Sequence, residues 1–238
     1  MPMDLYIIRH AQSTNNALDA ERERVCDPEL SELGRQQAEL LARHLAGDAE
    51  PEFERGRLAA PNGAGCGITR LFVSPMRRAL QTARPVARAL GLTPEVWVDL
   101  HEHGGVFLDH GPGVGYVGYP GLSRAEMQAV LPGCVLPDGV TERGWWTGAR
   151  EDRPGCEARA AKVAAALRQW AAATDERMAL ISHGDFIDAL LRALLQAGQA
   201  CYFVHANTAI SRLELRPDGR IWVDYLNRTD HLPQGMIS

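Results

Sequence analysis

Two short apolar runs, far apart in the chain, each end in a histidine. The first is Tyr6-Ile7-Ile8-Arg9-His10; the second is Leu180-Ile181-Ser182-His183-Gly184. Both are short and continuously apolar, as a strand buried on two faces must be. Polar, helix-starting sequence follows each. If the two strands are neighbours in one parallel sheet, their imidazoles meet at its C-terminal edge. Open α/β sheets bind ligands at that edge. Paired imidazoles with Arg9 beside them point to phosphoryl transfer through a phosphohistidine.

The rest of the chain alternates strand and helix. Asp4–Ile8 reads as a strand, and Ser31 opens a helix with Leu33, Leu40, Leu41 and Leu45 on one face, closed by Gly47. Residues 48–67 read as a surface loop. Ile68–Val73 is a strand, followed by Ser74 as N-cap and Pro75 at the first helical position. That helix is expected to kink at Pro85 and stop at Gly91. Glu95–Val98, Met178–Ile181, Ala209–Leu215 and Ile221–Tyr225 read as strands, the last two as a hairpin turning at Pro217-Asp218-Gly219. Val163, Ala166, Leu167 and Trp170 form a helical stripe, and Phe186–Ala197 a helix ending at Gly198. The expected fold is a single α/β domain over 1–238, a three-layer α/β/α sandwich with a mostly parallel central sheet. Residues from about 101 to 154 break the pattern, being dense in glycine, proline and aromatics with only Ser123–Val130 helical. A long irregular stretch of this kind reads as an inserted, ordered lid.

Composition narrows the function. A formal net charge of −5 argues against nucleic-acid binding. The five cysteines are odd in number and form no C-x-x-C pair, which argues against a zinc ribbon or a full disulfide framework. Reduced thiols and a cytoplasmic location are expected. The opening residues carry no basic region before an apolar stretch, so neither a signal peptide nor a membrane span is expected.

The first histidine lies in Arg9-His10-Ala11-Gln12-Ser13-Thr14-Asn15-Asn16. Arg9 offers a fork of donors suited to phosphate oxygens, and Gln12, Ser13, Asn15 and Asn16 add neutral donors. Nearby positive charge is expected to keep His10 neutral and nucleophilic at pH 7. This string resembles the R-H-G-x-[ST]-x-x-N signature of the histidine phosphatase superfamily, the phosphoglycerate mutase-like proteins. Leu30-Ser31-Glu32-Leu33-Gly34-Arg35-Gln36-Gln37-Ala38 resembles the family's L-[ST]-x-x-G-x-x-Q-A segment. The run from Ser74 to Ala83 resembles S-P-x-x-R-A-x-Q-T-A. Leu100-His101-Glu102 falls where the family carries an acid, Ser182-His183-Gly184 resembles the second-histidine motif, and Asn207-Thr208 resembles the asparagine before the late strand.

The resemblance implies these roles. His10 accepts the phosphoryl group. Arg9, Arg78 and His183 hold its oxygens, with His183 protonated, and Asn16 completes the pocket. Glu102 is the acid for the leaving oxygen and then the base for water. No metal and no cofactor are required. The partner is a small phosphorylated substrate, and a homodimer is compatible with the family. Arg78 is chosen over Arg77 on the family spacing from Ser74. Asp185 is the runner-up acid or a helix N-cap.

Some residues depart from the pattern. Ala11 stands where the family has glycine. His101-Glu102-His103 invites a metal reading but fails the H-E-x-x-H test, because Gly105 occupies the fourth place. On a strand, His101 and His103 would share a face. Three activities compete: a phosphatase, a cofactor-dependent phosphoglycerate mutase, and a non-catalytic phospho-ligand module. The H-Y-G-x-L-x-G-L-N-K string and lid R-R pair of the mutases are absent, which favours the phosphatase. Arg143, Arg150 and Arg153 are candidates for a second anionic group of the substrate, and Trp145-Trp146 for lid packing.

Overall fold

Consecutive residues of the first strand serve opposite layers of the molecule. Tyr6 and Ile8 pack into one core cluster, Leu5 and Ile7 into another. Side chains alternate along a strand, so a central strand needs apolar residues at every position. The computed structural model describes residues 2–19, 24–47 and 65–238, together with the backbone of 53–54 and 57–58.

The elements in order are β1 (Met3–Arg9), α1 (Glu32–Ala46), β2 (Phe53–Glu54), β3 (Arg57–Leu58), β4 (Arg70–Val73), α2 (Arg77–Leu90) and β5 (Glu95–Val96). There follow β6 (Phe107–Asp109), β7 (Tyr116–Gly118), α3 (Arg124–Val130), α4 (Arg153–Ala173), β8 (Arg177–Ser182), α5 (Gly184–Leu195), β9 (Ile210–Leu215) and β10 (Ile221–Arg228). Six strands form the central sheet in the order β10-β9-β1-β8-β4-β5. The pairs β1–β8, β8–β4 and β4–β5 are parallel; β9 runs antiparallel to both its neighbours. One face is covered by α1 and α2 through Leu41, Leu45, Leu80 and Val86. The other is covered by α4 and α5 through Val163, Leu167, Leu190 and Leu194. This is the expected three-layer sandwich.

Several local expectations are corrected. Met76, not Ser74, occupies the cap position of α2, and its helix N–H at Arg77 is met by the Asp27 carboxylate at 3.1 and 3.3 Å. A distant loop therefore caps Arg77, while the Ser74 hydroxyl accepts from Met76 N–H at 3.3 Å and also meets His183. Helix α2 runs through Pro85 unbroken and ends at Gly91, whose φ of 65° suits a residue without Cβ. The missing proline N–H costs one helix bond, while Pro85 is itself buried in the packed face. Helix α5 ends at Gln196 in the left-handed region, two residues before Gly198. Its cap position is His183, so Asp185 lies inside the first turn and is not the N-cap. The 95–98 strand shortens to β5, and Val98–Leu100 forms a 3-10 turn. The β9–β10 hairpin is as expected, with Arg216 N–H donating to the Arg220 carbonyl at 2.9 Å. The loop expected at 48–67 lies mostly outside the described residues.

Candidate active site

Strand register brings the two histidines together. Arg9 pairs with Ser182 across β1 and β8, so His10 and His183 are the next residues at the same sheet edge. Their ring centroids lie 4.9 Å apart. The backbone of His10 is held by its N–H donating to the Ser182 carbonyl at 2.9 Å and by its carbonyl accepting from the Asn207 amide at 2.8 Å and Thr208 N–H at 3.4 Å. Its ring Nδ1–H donates to the Ala11 carbonyl at 2.6 Å, which leaves Nε2 as the ring's acceptor on the pocket side. There Arg78 Nε donates to it at 3.1 Å. Burial first, then Arg78 and Arg9, push the His10 pKa well below the ordinary imidazole range. A neutral ring with a fixed tautomer and one aimed lone pair is the state a nitrogen nucleophile needs.

Arg78 is the inward arginine of its pair, as the spacing from Ser74 implied. It is buried and lies 3.9 Å from Asp27 as well as against His10. The Thr82 hydroxyl ties it to the nucleophile loop, accepting from Ala11 N–H at 3.0 Å and donating to the Arg78 carbonyl at 2.7 Å. Arg9 donates to the His205 carbonyl at 2.6 Å, and its buried Nε has no hydrogen-bond partner. A Cβ on Gly184 would lie 3.5 Å from that Nε, so the start of α5 sits in van der Waals contact with the guanidinium.

His183 is fully buried, with Nε2 2.7 Å from the Ser74 hydroxyl and no partner at Nδ1. Burial, Arg78 and His10 hold its pKa well below the ordinary range. A protonated His183, as the resemblance implies, would therefore need an anion in the pocket. Two guanidiniums already share the pocket, and a third buried cation needs an anion beside it.

Glu102 reaches the same pocket from the segment after β5. That segment is clamped to the sheet and to α4. Ser182 Oγ donates to the Leu100 carbonyl at 2.8 Å, and Arg159 donates to the carbonyls of Asp99 and His101 at 2.7 and 2.8 Å. The Glu102 Oε1 accepts from the N–H groups of His103 at 2.9 Å and Phe186 at 3.0 Å. Burial, and then Asp185, raise its pKa above the ordinary carboxyl value, against an opposing pull from Arg78. Asp185 itself accepts from Tyr202 Oη at 2.5 Å.

The His-Glu-His string is a turn, not a strand, with φ of 91° and 72° at Gly104 and Gly105. His101 turns into the core against Trp145 and Trp146, at 5.0–5.4 Å between centroids, and burial and Arg159 lower its pKa to about 4. His103 lines the pocket instead. No group of three metal-binding side chains occurs among the described residues.

Arg9, His10, Arg78, Glu102 and His103 open onto a cavity of about 560 Å³ that also takes in Asn16, Arg24, Phe107, Tyr116 and Arg150, whereas His183 is fully buried and does not line it. Asn16 lines it but spends its oxygen on Ser13, in a capping box at the start of a short 3-10 turn. Asn15 is bound to the backbone of Val25, and Gln12 accepts from Ser31 Oγ, so neither carboxamide oxygen is free for a ligand. The Ala11 methyl is buried with Leu30 and Ala38, away from the cavity. Thr82, Asn207 and Arg159, to which the sequence assigns no role, support the site, as does Ser74, which the sequence assigns only as a helix cap. For Ser74, Thr82 and Asn207 the signal was there, inside the matched motifs. For Arg159, in the middle of a helix, there was none.

The family model of the histidine phosphatase superfamily, branch 1, matches residues 5–110 and 137–228. The chain belongs to this superfamily. His10, Arg78 and Glu102 lie in the first matched block of this histidine phosphatase superfamily member, His183 in the second. The chain resembles the structure of a mycobacterial glucosyl-3-phosphoglycerate phosphatase in complex with VO3, with 25% identity and a TM-score of 0.59 over 95% of this chain and all of that one. It resembles a structure named mycobacterial hydrolase 1 at 26% identity and TM-score 0.59, over 96% of this chain and 100% of that one. A phosphoserine phosphatase from Entamoeba histolytica, bound to 3-phosphoglyceric acid, shares the fold at 19% identity and TM-score 0.60, over 97% and 100% of the two chains. Among curated sequences, a PE-PGRS family protein of Mycobacterium tuberculosis is 36% identical over 103 residues, 43% of this chain. The match covers 15% of that relative's length. No disulfide links the described cysteines, and no described helix is long and apolar enough to cross a membrane.

Proposed function

We propose that the protein is a metal-independent phosphomonoesterase that hydrolyses a small phosphorylated metabolite through a phosphohistidine. The observation that carries this reading is the aimed, neutral Nε2 of His10, 3.1 Å from Arg78 Nε, in one cavity with a carboxyl group whose pKa is raised. Nε2 attacks phosphorus as the bond to the ester oxygen breaks, and the protonated Glu102 gives its proton to that oxygen. Water then attacks the phosphorus and passes its proton to Glu102. The P–N bond breaks, and phosphate leaves with His10 neutral again. Arg9 and Arg78 neutralise the equatorial oxygens, and phosphoryl transfer gains most from this positioning and charge. His183 donates to the same oxygens, taking a proton as the dianion arrives. Asn16 borders the pocket mouth. Residues 101–154 act as the lid that selects the substrate.

The test is p-nitrophenyl phosphate hydrolysis with and without EDTA, with acid-quenched trapping of the phosphoenzyme. The expected outcome is turnover that survives EDTA and label that sits on His10. Loss of activity in EDTA refutes the scheme. Conversion of 3-phosphoglycerate to its 2-isomer without free phosphate moves the assignment to a mutase. Binding of phosphate esters with no turnover moves it to a binding module.

A further inference from the structure

The cavity is larger than a phosphoryl group requires, and its lining includes Arg150, which is not ion-paired to the Asp109 or Asp185 carboxylates of the same cavity. Arg150 makes no hydrogen bond and no ion pair among the described residues. Its guanidinium carbon lies 5.2 Å from the Phe107 ring centre and 4.5 Å from that of Tyr116. The two rings meet edge to face at 5.4 Å. By contrast, Arg153 and Arg159, which follow it in the chain, each hold a carboxylate at 2.6 Å.

The backbone that carries Arg150 is fixed on both sides. Trp146 Nε1 donates to the Ala149 carbonyl at 3.2 Å. Glu151 N–H donates to the Gly104 carbonyl at 3.1 Å, and the Glu151 carboxylate takes two bonds from Arg159 at 3.0 and 2.6 Å. The hairpin beneath is pressed against this segment: a Cβ on Gly118 would lie 2.1 Å from the Gly148 carbonyl oxygen. A guanidinium laid on aromatic faces keeps its in-plane fork of donors open, and that fork matches a carboxylate or phosphate edge. His103 lines the same cavity, its buried Nε2 has no partner, and Arg150 is the largest charge acting on its ring.

We propose that Arg150, with His103, forms an outer anion subsite that binds a second anionic group on the substrate. This inference rests on the reading that His10 takes the phosphoryl group at the inner end. The substrate class is then a phosphomonoester that also carries a carboxylate or a second phosphate. Pinned backbone and stacked head mean little ordering cost on binding, which is how a single exposed arginine earns selectivity.

The experiment compares kcat/KM within two pairs of phosphate esters. 3-Phosphoglycerate against glycerol 3-phosphate differs by a carboxylate; fructose 1,6-bisphosphate against fructose 6-phosphate differs by a phosphoryl group. The doubly anionic member of at least one pair is expected to be preferred about tenfold to a hundredfold, the worth of a charge-assisted hydrogen bond pair. Which pair shows the preference identifies the anion. Arg150→Gln is expected to erase most of that ratio, and Arg150→Lys, which keeps charge but loses the fork, to retain part of it. No preference in either pair, or a preference that Arg150→Gln leaves intact, overturns the subsite. Failure of the wild-type protein to turn over even p-nitrophenyl phosphate would instead overturn the phosphatase reading, so the two failures are separable.

Discussion

The inner and outer ends of the cavity are built in different ways. At the inner end, His10, Arg9 and His183 sit at or just past the ends of sheet strands, and Arg78 sits in the first turn of α2. Their supports are hydrogen bonds from other elements: Asn207 on the His10 carbonyl, Thr82 between Ala11 and Arg78, Ser74 on His183. At the outer end, the wall is made of turns and a short hairpin held by close glycine approaches and aromatic contacts. Gly105 would place a Cβ 2.3 Å from Trp146, and Gly121 would place one 2.3 Å from the Trp145 indole nitrogen. Strand ends of a sheet are fixed by every neighbour in the ladder, whereas a turn is fixed only by what packs on it. The inner end is therefore suited to one chemistry, and the outer end to variation in what that chemistry acts on.

Substitutions at the two ends should separate rate from selectivity. The largest effect belongs to the nucleophile. His10→Ala is expected to lower kcat by about 10⁴-fold or more for every ester alike, with the thermal midpoint little changed. A residual rate that still differs between substrates in the wild-type order would show that the outer wall binds independently of the chemistry. Arg78→Gln comes next. Removing one preorganised donor to the transferring group is expected to cost about 10²–10³ in kcat.

Glu102→Gln is expected to cost about 10²–10⁴ with an alkyl ester, and far less with p-nitrophenyl phosphate, whose leaving oxygen needs little protonation. The pH profile gives its sign. Glu102 must carry its proton to act as acid, and burial and Asp185 raise its pKa. Wild-type kcat/KM should thus hold through acid pH and fall as pH rises through that raised value. The acid limb should lie below the ordinary histidine range, because His10 stays neutral there. The Gln variant should lose the alkaline limb. A limb unmoved by Glu102→Gln would transfer the acid role to Asp185. The smaller change, Asp185→Asn, should shift the same limb to lower pH, since it removes a negative neighbour that keeps Glu102 protonated.

The smallest effect is expected at Ala11. Its methyl is buried against Leu30 and Ala38, so Ala11→Gly should cost about 1 kcal/mol, or about 2–4 °C in Tm, for the lost packing and added chain entropy. Activity should change less than about threefold, because the methyl points away from the reacting atoms. A large gain in rate would mean that the alanine crowds the phosphate after all.

Much of this molecule was legible in the chain itself. The continuous apolar runs of β1 and β8 determined two central parallel strands, because only a strand covered on both faces tolerates such a run. Their terminal histidines determined the edge at which chemistry would gather, and motif spacing separated Arg78 from Arg77. What the chain alone did not decide were contacts between residues far apart in sequence. Asp27 caps α2, while Ser74 Oγ serves both Met76 N–H and His183; Arg159 holds the carbonyls around Glu102; burial, with Arg78 beside it, pushes the His183 pKa down. His101 and His103, adjacent to the same carboxyl, part company, one into the core and one into the cavity, because the backbone there is not a strand and does not place alternate residues on one face. Local pattern carries the period of an element and the residue at its end. Which carbonyl, carboxylate or ring that residue meets depends on desolvation and packing across the assembled sheet, and those exist only once the distant segments are in place.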